Sequence, residues 1–297
     1  MANISKSQIL NAFRQIPDYA ESDFPLLATY ADEACPKLSD VIKQMRSLIA
    51  PRLSQITLRT KKVTAIKGKG YPVGANGWQL TLGSESIHVS RVFLCTGAEP
   101  KTLDLPVPHI PLQIALNPTM LEQTLYPTDR IVVFGTAHSG TLVLKNLKNL
   151  GCSNVTAIYK GKTPFRYARD GDTEGIKQES AMIADEIQAR AWETLTPTLL
   201  NYDDFASTYR AIHSATSVIY ATGFKTPEQH YMTDADATPQ PLRFRPITKD
   251  FEATTNIWGF GIGYPGQYTA PNGNVYSDVG FGGFIDAIKS VLGPLTQ

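Results

Sequence analysis

One run in the middle of the chain limits its fold more than any other. The apolar residues of 130–134 lead into Gly135, Thr136, Ala137, His138, Ser139 and Gly140. Leu142, Val143, Leu147 and Leu150 follow at helical spacing, Gly151 ends that helix, and 154–159 reads as the next strand. A strand, a glycine turn, a helix and a strand in that order predict a βαβ crossover, which is almost always right-handed. The turn also carries chemistry. Gly135 supplies the freedom that a tight turn needs, and Gly140 lets the helix pack closely on the strand. The helix start offers unpaired N–H groups and a positive dipole end, which together form a seat for phosphate. Gly135, Ala137 and Gly140 thus fill the three small-residue positions of a dinucleotide loop. The middle position is alanine, whose methyl group is expected to push a pyrophosphate outward.

The second strand of this unit ends at Tyr159, and Lys160, Lys162, Arg166 and Arg169 follow. An acid there would hold the ribose 2′-hydroxyl of NAD, whereas cations suit the 2′-phosphate of NADP. NADP(H) is therefore the expected cofactor; an ordinary solvated basic loop is the plainer reading. His138 and Ser139 fall at the helix start. His138 either contacts a phosphate or nicotinamide or simply fills that position.

No glycine precedes Gly68, so a glycine-rich phosphate loop cannot lie before it. Helices are expected at 5–14, with Ser5 or Ser7 as cap, and at 38–48, with Ser39 as cap and Pro51 beyond the end. Short strands are expected at 56–58 and 63–66. A turn at 74–77 and a hairpin of 78–82 with 86–89 around Gly83 and Ser84 follow. Residues 91–96 form an apolar run ending at Gly97, as a buried parallel strand would. A proline-rich crossover covers 101–126. Further helices are expected at 179–191, 205–213 and 284–292, strands at 218–221 and 257–261, and mostly loop at 225–246.

Two short runs are alike. Phe93, Leu94, Cys95, Thr96 and Gly97 form one, and Ile219, Tyr220, Ala221, Thr222 and Gly223 the other. Each is an apolar strand ending in Thr-Gly, and they flank the glycine turn. With the late run from Thr255 through Trp258 and Gly261 to Gly263, this ordered set resembles the two-dinucleotide-domain flavoproteins. That family includes pyridine nucleotide-disulfide oxidoreductases and flavin-containing monooxygenases. The resemblance covers roughly 38–292. It implies an α/β fold: a Rossmann-like NAD(P) domain at 129–224, inserted in a truncated FAD-type unit with a β-meander at 1–128 and 225–297. It also implies that Thr96, Gly97, Thr222, Gly223 and Gly261 border the cofactors, with Gly135–Gly140, Lys160 and Arg166 around NADP.

The sequence departs from that family in two places. The glycine-rich loop that opens the family's FAD domain is missing, and no acid follows the late strand at Gly261, Ile262, Gly263 and Tyr264. FAD is implied by the resemblance, but self-contained FAD binding is not expected of this chain. The function expected is NAD(P)H-dependent flavin oxidation or monooxygenase-like chemistry, with hydride passing from nicotinamide to flavin. The alternative is a non-catalytic NADP-binding sensor or subunit of the same fold. A Rossmann dehydrogenase using NAD(P) alone would need a Tyr/Lys or His/Asp constellation, and none is evident. Without its family neighbour, strand 91–96 would present an open edge. A homo-oligomer, a partner chain or the N-terminal segment is expected to cover it.

Other classes are disfavoured. The net charge is +1 and 19% of residues are charged, giving no footprint for nucleic acid or an anionic membrane. Cys35, Cys95 and Cys152 form no C-x-x-C pair, which argues against a dithiol reductase, a zinc site and a disulfide framework. No apolar stretch is long enough to span a bilayer, and a soluble cytoplasmic protein acting on an unknown small molecule is expected. His138, Ser139 and Gly140 lack the G-x-S-x-G elbow of a serine hydrolase. His88, His109, His213 and His230 show no ligand spacing. Asp170, Asp172 and Glu174 lack the order of a calcium loop. The glycine- and tyrosine-rich stretch 264–273 is expected to shape a substrate or flavin pocket.

Overall fold

The apolar run at 130–134 becomes the centre of a parallel sheet because both of its faces are covered. The computed structural model describes residues 6–14, 24–34, 36–168, 175–233, 235–269, 273–279 and 281–293. The chain falls into two units, Met1–Glu99 with Thr226–Gln297, and Pro100–Lys225.

In Pro100–Lys225 five strands pair in the order His109–Ile110, Ser217–Tyr220, Arg130–Phe134, Asn154–Tyr159, Thr198–Asn201. Every pairing is parallel. From Arg130–Phe134 the chain steps outward through the next two strands, then returns to its other side with Ser217–Tyr220. The strand order therefore reverses between Arg130–Phe134 and Ser217–Tyr220. Ile131 and Val133 face a core that holds Val143, Leu144 and Leu147 of the helix His138–Asn149 and Ile183 of the helix Glu179–Gln188. Val132 and Phe134 face the opposite side, with Val218, Tyr220 and the partly buried Ile212 of the helix Phe205–Ser214. Val143, Leu144 and Leu147 are fully buried, and each such side chain contributes roughly 1.5–3 kcal/mol. The helix His138–Asn149 stops at Gly151, which takes φ 82. Gly151 N–H bonds Lys148 O and Cys152 N–H bonds Leu147 O, so the last carbonyls are satisfied by a Schellman pattern.

In the other unit, Ala65–Gly68, Trp78–Leu82 and Glu85–Val89 form an antiparallel meander. His230–Thr233 adds to it in parallel and Gln240–Pro241 extends the sheet. Trp78 is buried in the core beneath it and donates its indole N–H to Thr255 O at 3.0 Å. Val92–Leu94 pairs in parallel with Ile257–Gly259, and among the described residues no second strand flanks it. The helices Lys6–Phe13 and Leu38–Leu53, with the short turn Pro25–Ala28, share a small core of Ile9, Phe13, Phe24, Leu27 and Val41. The helix Phe281–Leu292 ends the described chain.

Several expectations are corrected. Ile56 and Leu58 form no strand and stand exposed, because nothing pairs with them. The helix from Leu38 runs on to Leu53 with Pro51 inside its last turn, and Ser39 is not its cap: Lys37 is, without a side-chain bond. Residues 91–96 are not buried throughout. The strand alternates, with Phe93 exposed, since one face is uncovered. The stretch read as loop after Lys225 contains the strand His230–Thr233, and 257–261 is not the last strand, because the hairpin Gly266–Thr269 with Val275–Asp278 follows. Thr198–Asn201 is a strand the sequence did not announce. Ser5, Cys35, Arg169, Asp170, Asp172, Glu174 and part of 264–273 lie outside the described residues.

Candidate functional site

Gly135 ends its strand with φ 96, and a Cβ there would lie 2.4 Å from Ala221 O. Gly140 lies in the first turn of the following helix, and its Cβ would lie 2.0 Å from Gly135 O. Both positions admit only glycine, so the turn closes tightly on the neighbouring strand. Ala137 is the helix N-cap in extended conformation, is exposed, and makes no side-chain cap bond. The first-turn amides are therefore not occupied by a capping side chain and point to whatever lies before the helix. Ser139 is half-buried beside them.

Three neighbouring strand ends meet here. Thr136 is buried and its hydroxyl donates to Pro164 O, which ties the segment after Tyr159 to the turn. Lys160 and Arg166 are exposed on that segment, and Asn201 holds it by donating to Gly161 O at 2.9 Å. On the other side, Ala221 N–H bonds Phe134 O at 2.7 Å. Thr222 then donates its hydroxyl to Lys101 O at 2.7 Å, and Gly223 turns with φ 87. Gly135–Gly140, Lys160 and Thr222–Gly223 thus gather at the carboxyl ends of adjacent parallel strands, at the reversal of strand order. Open α/β sheets bind ligands in that crevice.

His138 is half-buried, and its Nδ1 meets the hydroxyl of Ser180. Burial, above all, holds the imidazole below its ordinary pKa of 6.5. Beside Ser180, Glu179 accepts from Lys145 Nζ at 2.7 Å through Oε1, while its Oε2 is buried without a hydrogen-bond partner. Sequence reasoning placed His138 but missed Ser180, which lies in a later helix with no motif to mark it.

Thr96, Gly97 and Gly261 belong to the other unit. Gly97 takes φ 73 and Gly261 φ 82. A Cβ on Gly263 would lie 1.8 Å from Gly97 O, so the two strand ends cross in close contact. Thr96 donates to the Tyr264 hydroxyl at 3.4 Å. Tyr264 is buried, which pushes its phenol pKa up.

The two units differ as dinucleotide seats. The Gly135 turn fits a dinucleotide pyrophosphate: it has a glycine-only bend and an uncapped helix start, and Lys160 and Arg166 stand exposed on the adjacent strand end. In the other unit, no parallel strand among the described residues leads through a glycine turn into a helix.

The chain has the fold of the two-domain FAD/NAD(P)-binding Rossmann-type oxidoreductases. It aligns with bacillithiol disulfide reductase Bdr (YpdA) from Staphylococcus aureus at a TM-score of 0.59 and 14% identity, over 99% of this chain and 84% of that one. It aligns with Lactococcus lactis thioredoxin reductase, in the FR conformation, at a TM-score of 0.50 and 10% identity, over 95% and 91%. In sequence it is 26% identical over 230 residues to monooxygenase AgnR1 of Paecilomyces divaricatus. That match takes in 68% of this chain but 58% of the monooxygenase, under two thirds of its length. No protein-family model matches the chain.

Proposed function

We propose that this chain is the NADP(H)-binding part of a flavin-linked oxidoreductase of the monooxygenase or reductase kind. The observation that carries this reading is the turn in which Gly135 and Gly140 admit no side chain, set at the reversal of strand order. The fold of the two reductases and the sequence likeness to a monooxygenase support it. The bound nicotinamide supplies hydride; the protein's own residues bind and orient it. The first-turn amides of the helix receive the pyrophosphate, and Lys160 and Arg166 receive the 2′-phosphate. Flavin comes from a partner chain seated on the open edge of Val92–Leu94.

Calorimetry with NADPH and NADH tests the first part. NADPH is expected to bind more tightly, and Lys160→Ala is expected to lower its affinity roughly tenfold while leaving NADH unchanged, the size of one lost charge-assisted hydrogen bond. Failure of either nucleotide to bind at millimolar concentration would overturn the reading. Absorption spectra with added FAD, followed by turnover of an artificial electron acceptor, test the second part. The other unit, where no parallel strand leads through a glycine turn into a helix among the described residues, favours one other reading, an NADP-binding sensor or subunit without catalysis. NADPH binding with no flavin absorption and no turnover in any partner mixture would select it.

A further inference from the structure

We infer that Ser180 is a positioning residue that fixes His138 in the tautomer with its proton on Nε2, giving the dinucleotide turn an N–H donor for a pyrophosphate oxygen. The phosphate half of this inference rests on the nucleotide reading above; the tautomer half does not.

The argument starts from the serine. Ser180 is fully buried at the second residue of its helix, and among the described residues its contact with His138 Nδ1 is the one hydrogen bond its hydroxyl makes. A hydroxyl has one proton to place. In a helix interior it would reach the carbonyl four residues back. Here, among the described residues, it makes no such bond, and the acceptor within reach is His138 Nδ1. The acceptor for the Ser180 proton is therefore His138 Nδ1. The reverse arrangement, with Nδ1–H facing Ser180, would leave a buried hydroxyl proton without an acceptor, which costs the full desolvation of that group. With Nδ1 accepting, the ring proton sits on Nε2.

The consequence is chemical. Phosphate oxygens only accept hydrogen bonds, so a neutral histidine serves them only through an N–H. His138 is the first residue of the helix whose amides face the crevice. An imidazolium would also donate, but it could no longer accept from Ser180, and burial opposes it. The charges nearby work in both directions: Glu179 favours the imidazolium and Lys177 disfavours it. Glu179 is itself engaged by Lys145.

Two measurements test this. The first is ¹⁵N NMR of histidine-labelled protein at neutral pH without nucleotide. Wild type is expected to show a protonated Nε2 and bare Nδ1 for His138, and Ser180→Ala is expected to lose that bias. A protonated Nδ1 in wild type, or an unchanged ring in the variant, would overturn the Ser180 role. The second is NADP⁺ affinity. Ser180→Ala and His138→Ala are each expected to weaken binding about five- to tenfold, with no further loss when combined, and Ser180→Thr to restore it. The same losses are expected with ADP-ribose 2′-phosphate, which lacks nicotinamide. A loss confined to NADP⁺ would move the contact to the nicotinamide and overturn the phosphate assignment. A wild-type protein that binds no NADP⁺ would overturn the nucleotide reading and the phosphate role with it, while the NMR result would still decide the Ser180–His138 arrangement.

Discussion

Gly140 shows how one missing side chain sets a site. Its Cβ would collide with Gly135 O, a backbone atom that cannot rotate away. Gly140→Ala is expected to destabilise the protein by about 1–3 kcal/mol, as overpacked positions do, with a matching shift of the urea midpoint. Gly135→Ala adds strain from a positive φ and is expected to cost more. His138 gives a pH dependence whose sign is fixed. Its folded pKa lies below 6.5, so the unfolded chain binds the proton more readily. Its contribution to stability is complete above the ordinary value and is lost as pH falls through and below it. Denaturation curves at pH 7.5, 6 and 5 should show that His138→Gln flattens this part of the loss; an unchanged slope would contradict the burial argument.

At the level of elements, the sequence was readable where periodicity and punctuation agreed. Residues 130–159 announced strand, helix and strand because Gly135, Gly140 and Gly151 mark each boundary and Val143 and Leu147 mark the buried face. Thr198–Asn201 and His230–Thr233 were not readable. Each is a strand of four residues, and their stabilisation comes from neighbours distant in sequence. Ile56 and Leu58 mislead in the opposite sense, since residues suited to strands form none without a partner. Of the site, the glycines and cations could be read locally. Ser180 could not, because its part depends on which helix packs beside His138. The helix end offers a separate test. Gly151→Ala forces a Cβ into the left-handed region and is expected to cost about 1–2 kcal/mol, seen as a lower thermal midpoint with unchanged secondary structure content.

For the molecule as a whole, nucleotide binding and stability are linked. If NADPH binds the folded state alone, a hundredfold excess over its Kd adds about 2.7 kcal/mol. Thermal scans should show a larger rise with NADPH than with equal NADH, and Lys160→Ala should narrow the gap. Val92–Leu94 belongs to this scale too: among the described residues no strand flanks its other edge, and bare strand edges invite pairing. Phe93, exposed on that strand, stacks on Trp258 at 5.4 Å between ring centroids. Phe93→Lys is expected to reduce self-association or partner capture in sedimentation experiments without unfolding the protein. Equal sedimentation of both proteins at all concentrations would count against a covered edge.

The three tryptophans turn the same architecture into an optical instrument. Trp192 is buried in the unit that carries the glycine turn, while Trp78 is buried in the other and Trp258 lies half-buried there against Phe93. Removing Trp78 and Trp258 as phenylalanines would confine tryptophan emission to the Pro100–Lys225 unit; removing Trp192 would confine it to the other unit. Each unit could then be watched melting, or answering a ligand, by its own light.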